Sequence, residues 1–313
     1  MSRVRTLVVF LTISAVWGSA FLATDIALQT VPPAFLAAVR FDIAAVLLFA
    51  LTIARGDRFL PAARAEWRPI LTGGVLSIGA HHALLFSGQV YIAGSVASVL
   101  LGIVPLATPT LTRLTSSRKR LRPVQLAGLT VGFLGLIVIA NPDPENLLSS
   151  NLLGIGLVLG SALAFALGAV FTHDSETSMS LLAVQSWMML IGAVTLHLTS
   201  IALPWESAAD AVWVPAALVS TAYLAVVAGA GGFLLYFWLL DRVGPIEVGL
   251  LEYVIPLFAA LAEWVVLSRV PTLSTVAGFT LIFVGFLLFK RDAVRGELRR
   301  AVDRTRTRTP SDE

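Results

Sequence analysis

Phe86-Ser87-Gly88-Gln89-Val90-Tyr91, running on to Pro105-Leu106, returns 151 residues later as Phe237-Trp238-Leu239-Leu240-Asp241-Arg242, running on to Pro256-Leu257, with no gap in either copy. The stretch after each also repeats, at an offset of 150: Ala127-Gly128-Leu129-Thr130 through Phe133-Leu134-Gly135 against Ala277-Gly278-Phe279-Thr280 through Phe283-Val284-Gly285. Both halves are apolar almost throughout. A duplicated unit with an odd number of membrane spans must insert in two opposite orientations, and inverted repeats of that kind are characteristic of secondary transporters.

Composition agrees with a membrane chain. It is 57% hydrophobic and 13% charged, with a mean hydropathy of +0.86. Several stretches reach the roughly 20 apolar residues that a bilayer crossing needs. There is no cysteine, which excludes disulfides, thiolate metal sites and cysteine nucleophiles. A net charge of +3 and a pI near 9.7 would suit nucleic acid, but the basic residues gather in loops on one side, so no nucleic-acid partner is expected.

Ten spans are expected, near 6–28, 34–53, 69–90, 93–113, 123–141, 151–172, 180–203, 212–240, 246–267 and 272–289. They form a first repeat over 6–141, a second over 151–290 and a basic tail over 291–313. Short turns separate them, marked by Pro32-Pro33, Gly94, Pro142-Asp143-Pro144, Pro204 and Gly244-Pro245. With the N-terminus in the cytoplasm, twenty Lys and Arg fall inside and only Arg269 outside, Arg40 lying within a span. The positive-inside rule then predicts a multi-pass cell-membrane protein with both termini cytoplasmic. Arg3 and Arg5 ahead of an apolar run, with Gly18-Ser19-Ala20 behind, have the pattern of a cleaved leader. Cleavage would remove the first span and break the five-plus-five symmetry, so the run is read as a span.

In order and spacing, Val16-Trp17-Gly18-Ser19-Ala20-Phe21, the run from Phe86 to Leu106, Pro256-Leu257-Phe258-Ala259-Ala260-Leu261, Pro271-Thr272 and Gly278 resemble the drug/metabolite transporter superfamily, in particular its EamA-type ten-span exporters. The resemblance covers residues 6–290. It implies an all-α fold of ten helices, in two inverted five-helix repeats around a central cavity, and two halves that rock to alternate access. It also implies export of small metabolites, often amino acids. One departure stands out. The family carries a Gly-Glu pair twelve and thirteen residues after the helix proline, where this chain has Ser117-Arg118 and Ser268-Arg269.

The chemistry should lie in polar residues that the bilayer penalises, at about 2.5–3.5 kcal/mol for an ionised group at a helix centre. The candidates are Arg40, Asp42, His81, His82, His197, Glu252 and Glu263. His82, Phe86 and Gln89 share one helix face at i, i+4 and i+7, offering a titratable ring, an aromatic wall and an amide. His81 lies about 100° around the helix and is expected to face a neighbouring helix. A structural role as interhelical glue is open to both histidines. Arg40 and Asp42, at i and i+2, point apart. Arg40 suits a bidentate grip on a carboxylate or phosphate, an ion pair with Glu252, or snorkelling to the outer interface. Its counterpart in the second repeat is Gln185, at an offset of 145. Glu252 precedes the helix-kinking Pro256 by one turn. With His82 it is the leading candidate for proton coupling. Glu263 is expected near the outer interface and solvated.

Trp17, Tyr236 and Trp238 are candidate cavity aromatics, with Trp17 the strongest. Trp67, Trp205 and Trp213 read as interfacial anchors. The Gly229-Ala230-Gly231-Gly232 cluster points to close helix approach, and the Gly156, Gly160, Ala164 and Gly168 stripe to helix packing. The proposed substrate contacts are thus Trp17, Arg40, His81, His82, Phe86, Gln89 and Glu252, with no catalytic residue, metal or cofactor expected. There is no HExxH, G-x-S-x-G or Walker sequence, so energy should come from a gradient. Three functions follow: an exporter of amino acids or similar metabolites, an exchanger or uptake carrier for an anion held by Arg40, and, remotely, a membrane enzyme or redox protein.

Overall fold

The computed structural model describes residues 3–115, 122–140, 150–173, 177–289 and 291. Ser117, Arg118 and the basic tail beyond Arg291 lie outside the described residues. Among those described there is no strand. The helices are α1 (Arg3–Ala27), α2 (Pro33–Ala54), α3 (Arg64–Gln89), α4 (Gly94–Leu101, resuming at Val104–Thr115) and α5 (Pro123–Ala140). The second repeat follows with α6 (Ser150–His173), α7 (Leu181–Ala202), α8 (Pro215–Val243), α9 (Pro245–Val248, resuming at Leu251–Leu267) and α10 (Leu273–Phe289). Seven of these, α1 to α4 and α6 to α8, are long and apolar enough to cross a membrane. The apolar runs of α5 and α10 are shorter, and α9 is interrupted at Gly249-Leu250. The chain is an all-α membrane protein of ten spans in two inverted repeats.

Local chemistry sets the helix starts. Pro33 and Pro215 occupy the first turn of α2 and α8, where a missing N–H costs nothing. The free N–H groups of Ala34 and Phe35 donate to the Glu206 carboxylate at 3.3 and 2.7 Å. Ser180 caps α7 by accepting from the Ala183 N–H at 3.2 Å.

Packing repeats with the halves exchanged. The equivalent spans α2 and α7 pack on each other, as do α5 and α10. The contact of α1 with α8 is matched by that of α6 with α3, and α1 with α9 by α6 with α4. This is a two-fold relation between the repeats. It is closest at the α5–α10 seam, where an added Cβ on Gly128 would stand 2.6 Å from the Gly285 carbonyl oxygen, and one on Gly135 2.6 Å from that of Gly278. These are the same contact seen from each repeat. Two π-helical segments obey the same relation: Gly73–Ala80 within α3 and Leu224–Gly231 within α8 stand 151 residues apart.

The glycine stripe of α6 is only partly a seam. Gly168 lies hard against Ser77 of the α3 π-segment, but a Cβ on Gly156 would meet nothing within 4 Å.

At the end of α9, Ser268 adopts φ 56°, ψ 24°, and the Ser268 and Arg269 N–H groups turn back to the Trp264 and Glu263 carbonyls at 3.0 and 3.4 Å. This is a left-handed helix terminus, for which glycine is the unstrained residue. Two outcomes are expected in thermal unfolding of the detergent-solubilised protein. Ser268→Gly should stabilise it by roughly 1 kcal/mol, the lower figure for relieving a left-handed L-residue. Gly128→Val should lower the midpoint sharply, whereas Gly156→Ala, in open space, should leave it in place.

Candidate functional site

A cavity of about 60 Å³ lies inside the bundle and is lined by Trp17, Arg40, His81, His82, Phe86, Gln89 and Glu252, together with Phe165 and Phe233. The seven residues singled out from the sequence thus meet at one place, contributed by α1, α2, α3 and α9.

Arg40 is 4% exposed, so it does not snorkel to an interface. Its guanidinium lies over the rings of Phe41 and Phe86, 4.3 and 5.0 Å from their centroids, where ring faces attract the cation. Its Nε has no hydrogen-bond partner. Asp42 points elsewhere, its Oδ2 lying 2.7 Å from His197 Nε2 on α7. Glu252 is 3% exposed, and its Oε2 is also unpartnered. It sits in the first turn after the break in α9, where the positive end of the helix dipole favours a carboxylate. Among the described residues neither Arg40 nor Glu252 takes part in an ion pair, so the Arg40–Glu252 pair that the sequence left open does not form.

His82 Nδ1 lies 2.9 Å from the Ile78 carbonyl oxygen. A carbonyl only accepts, so Nδ1 carries a proton. The rings of Phe41, Phe86 and Phe233 surround His82 at 4.7, 5.7 and 5.8 Å. His81 bonds across to α6, with Nδ1 2.7 Å from Ser161 Oγ and 3.2 Å from its carbonyl oxygen. It therefore meets a neighbouring helix, as its position implies, while also touching the cavity.

Trp17 Nε1 donates to the Ala228 carbonyl at 3.1 Å. Ala228 lies in the π-segment of α8, a rare geometry in which the wider turn displaces carbonyls from their α-helical partners. A Cβ on Gly232 would stand 2.5 Å from Trp17 Nε1, so this glycine admits the indole. Trp17 packs on Phe233 and Tyr236, each at 5.1 Å, and edge-on to Phe165 at 6.2 Å. Trp238 is not in the cavity. It lies at the end of the bundle under Arg242 and Arg5, at 4.3 and 5.7 Å.

Gln89 Nε2 donates to Asp25 Oδ1 at 2.9 Å, and Asp25 Oδ2 accepts from the Gly94 N–H at 2.9 Å. Glu263, expected to be solvated, is 3% exposed. It accepts from the Ser95 N–H at 2.6 Å and from Ser95 Oγ at 2.8 Å. The start of α4 leaves unpaired N–H groups that carboxylates answer, and this need holds Glu263 in the protein. Asp25 escaped the sequence reasoning. Its only signal was an acid in the last turn of an expected span.

Two further pockets of about 340 Å³ each flank the cavity, one at either end of the bundle. They are built on equivalent repeat positions: Gln89, Val90 and Tyr91 at one end, Leu240, Asp241 and Arg242 at the other. Gln89 borders both the cavity and its end pocket. At the terminal end, the stacked rings of Phe233 and Phe237, 6.1 Å apart, stand between cavity and pocket. Among the described residues, no three His, Asp or Glu side chains group as metal ligands.

The EamA-like transporter family matches residues 4–141 and 152–291, one copy on each repeat. An uncharacterized transporter of Archaeoglobus fulgidus is 27% identical over 278 residues, covering 88% of this chain and 95% of the relative. The uncharacterized inner membrane transporter YedA of Escherichia coli is 26% identical over 246 residues, covering 79% of this chain and 78% of its own. A solved crystal structure, 20% identical, superposes with a TM-score of 0.65 over 95% of this chain and 100% of its own, and shares the fold. With one matched copy on each half, the chain is a member of the EamA-like transporter family.

Proposed function

We propose that the chain exports small zwitterionic metabolites, amino acids foremost, by alternating access. The observation that carries this reading is an arginine and a glutamate side chain buried in one membrane cavity without pairing to each other. Arg40 offers a planar fork to a carboxylate. Glu252 offers a carboxylate to an ammonium. Between them, the rings of Trp17, Phe86, Phe165 and Phe233 suit the apolar part of an amino acid. A purely anionic solute would meet Arg40 but also Glu252, which makes the anion-exchange reading the weaker one. At about 60 Å³ the cavity holds a few waters and no amino acid, so loading needs one end of the bundle to open. Export is the direction that the family resemblance implies. The basic residue count supports placing both termini, and the pocket beside Arg242, at the cytoplasmic side.

His82 and Glu252 are read as the groups that couple transport to protons, since both are titratable and border the cavity. The test is flux from proteoliposomes loaded with labelled amino acids and organic acids, with and without an imposed pH gradient. Gradient-sensitive loss of a zwitterionic amino acid is expected. Movement of anionic solutes alone, and only by exchange, would overturn the reading. Arg40→Gln should reduce zwitterion flux about 10- to 100-fold, the worth of one hydrogen bond to a charged group. Glu252→Gln should flatten the dependence on the pH gradient, and an unchanged gradient response would remove Glu252 from the coupling.

A further inference from the structure

Gln185 is fully buried, and neither its Nε2 nor its Oε1 has a hydrogen-bond partner. A stranded buried polar group costs about 1–3 kcal/mol, and nothing in the site described so far accounts for this one. Its place in the repeat does. Leu36-Ala37-Ala38-Val39-Arg40 on α2 aligns with Leu181-Leu182-Ala183-Val184-Gln185 on α7, at an offset of 145. Gln185 is therefore the counterpart of Arg40. The two helices pack directly on each other, joined by Thr52 Oγ1 and Ser186 Oγ at 3.1 Å.

The two repeats are related by a two-fold axis lying in the membrane plane. Rotation about that axis turns a bundle open to one side into a bundle open to the other, with the repeats exchanged. In an inverted repeat the two facing states therefore correspond to an exchange of conformations between the halves. Arg40 now borders the central cavity, and Gln185 is packed away from it. Space is already close to Gln185. Its neighbour Val184 and Met188, almost one turn further along, both border the pocket of about 340 Å³ at the terminal end.

We propose that Gln185 is a second substrate contact: the present bundle is closed at both ends with Arg40 on the cavity, and when the halves exchange conformations Gln185 takes the equivalent place and donates its amide N–H to the carboxylate of the transported zwitterion. The proposal rests on the transport reading above. Its consequence is a built-in asymmetry of affinity. One facing state presents a guanidinium to the carboxylate, and the other presents a neutral amide. The Arg40 state binds and the Gln185 state releases, because hydrogen bonds to neutral donors are the weaker kind. The stranded amide of the present state is answered on switching, which offsets part of the cost of withdrawing Arg40.

The absence of native cysteine makes the test direct. Gln185→Cys, Ala183→Cys and Arg40→Cys are each reconstituted, and a charged, membrane-impermeant methanethiosulfonate is added from each side. Gln185→Cys should react at least tenfold faster than Ala183→Cys, which is equally buried but on another face of α7. It should also react from the side opposite to Arg40→Cys. A Gln185→Cys as inert as Ala183→Cys, beside a reactive Arg40→Cys, would overturn the proposal. The labelling reads exposure whatever the solute is, so it stays decisive if amino acids are not carried. Gln185→Leu supplies the second readout. It should raise the thermal midpoint in detergent by removing the stranded amide, while lowering flux at least tenfold. Unchanged flux would mark Gln185 as structural only and sink the idea.

Discussion

A guanidinium and a carboxylate inside a bilayer carry desolvation costs of several kcal/mol each unless the surrounding protein answers them. Arg40 and Glu252 are answered without being neutralised. Arg40 lies against two phenylalanine faces, and Glu252 sits at the start of a helix created by the break in α9. Each is stabilised by a diffuse field, from ring quadrupole or helix dipole, that leaves polar atoms unclaimed. An ion pair would have satisfied both groups and left little to recognise a solute. The helices that line the cavity hold these two side chains at one place without an ion pair between them.

The bundle is organised by the two-fold relation between its halves. At α5–α10, glycines bring two backbones into contact, and the interface is held by dispersion over short distances, as packing in lipid requires. The π-segments of α3 and α8 supply a second symmetric device. The one in α8 contributes Ala228 to the cavity lining and holds Trp17 through the Ala228 carbonyl. A wide turn in a helix is a place where backbone hydrogen bonds shift partners at small cost. Two of them at equivalent positions give both repeats the same point of compliance.

The fold was legible because it was duplicated. The match from Phe86 to Leu106 with Phe237 to Leu257 pointed to two repeats of opposite orientation before any contact was known. The polar cavity residues were legible for a different reason: a bilayer makes polar side chains rare, so those remaining within spans are few, while Phe86 was found by its place on the His82 face and Trp17 as an aromatic. What stayed hidden depended on the third dimension. Glu263 read as solvated from its distance along α9, yet the open N–H groups of α4 lie beside it. Asp25 was overlooked because its partners, Gln89 and Gly94, are 64 and 69 residues away. Trp238 and Tyr236 look alike in sequence, but at i and i+2 they face opposite ways, one to the basic end of the bundle and one to Trp17. The α6 stripe had the right spacing for a seam along its length, and the neighbouring helix follows it only in part.

Equivalent positions at the two ends carry different chemistry, and this bears on how the cavity opens. At one end Gln89, Asp25, Ser95 and Glu263 close the bundle through hydrogen bonds to carboxylates. At the other, Leu240 stands where Gln89 would be, and the closure is the stacked pair of Phe233 and Phe237. Water entering the polar end replaces each broken hydrogen bond with another, so the net loss per bond is small. Water entering the aromatic end exposes ring surface at about 25 cal/mol per Å² with nothing in return. A symmetric backbone therefore carries an asymmetric barrier. The polar end is the easier to wet, and opening the aromatic end exposes ring surface that nothing polar answers. The difference between the two ends is written at positions where the repeats have diverged, Gln89 against Leu240.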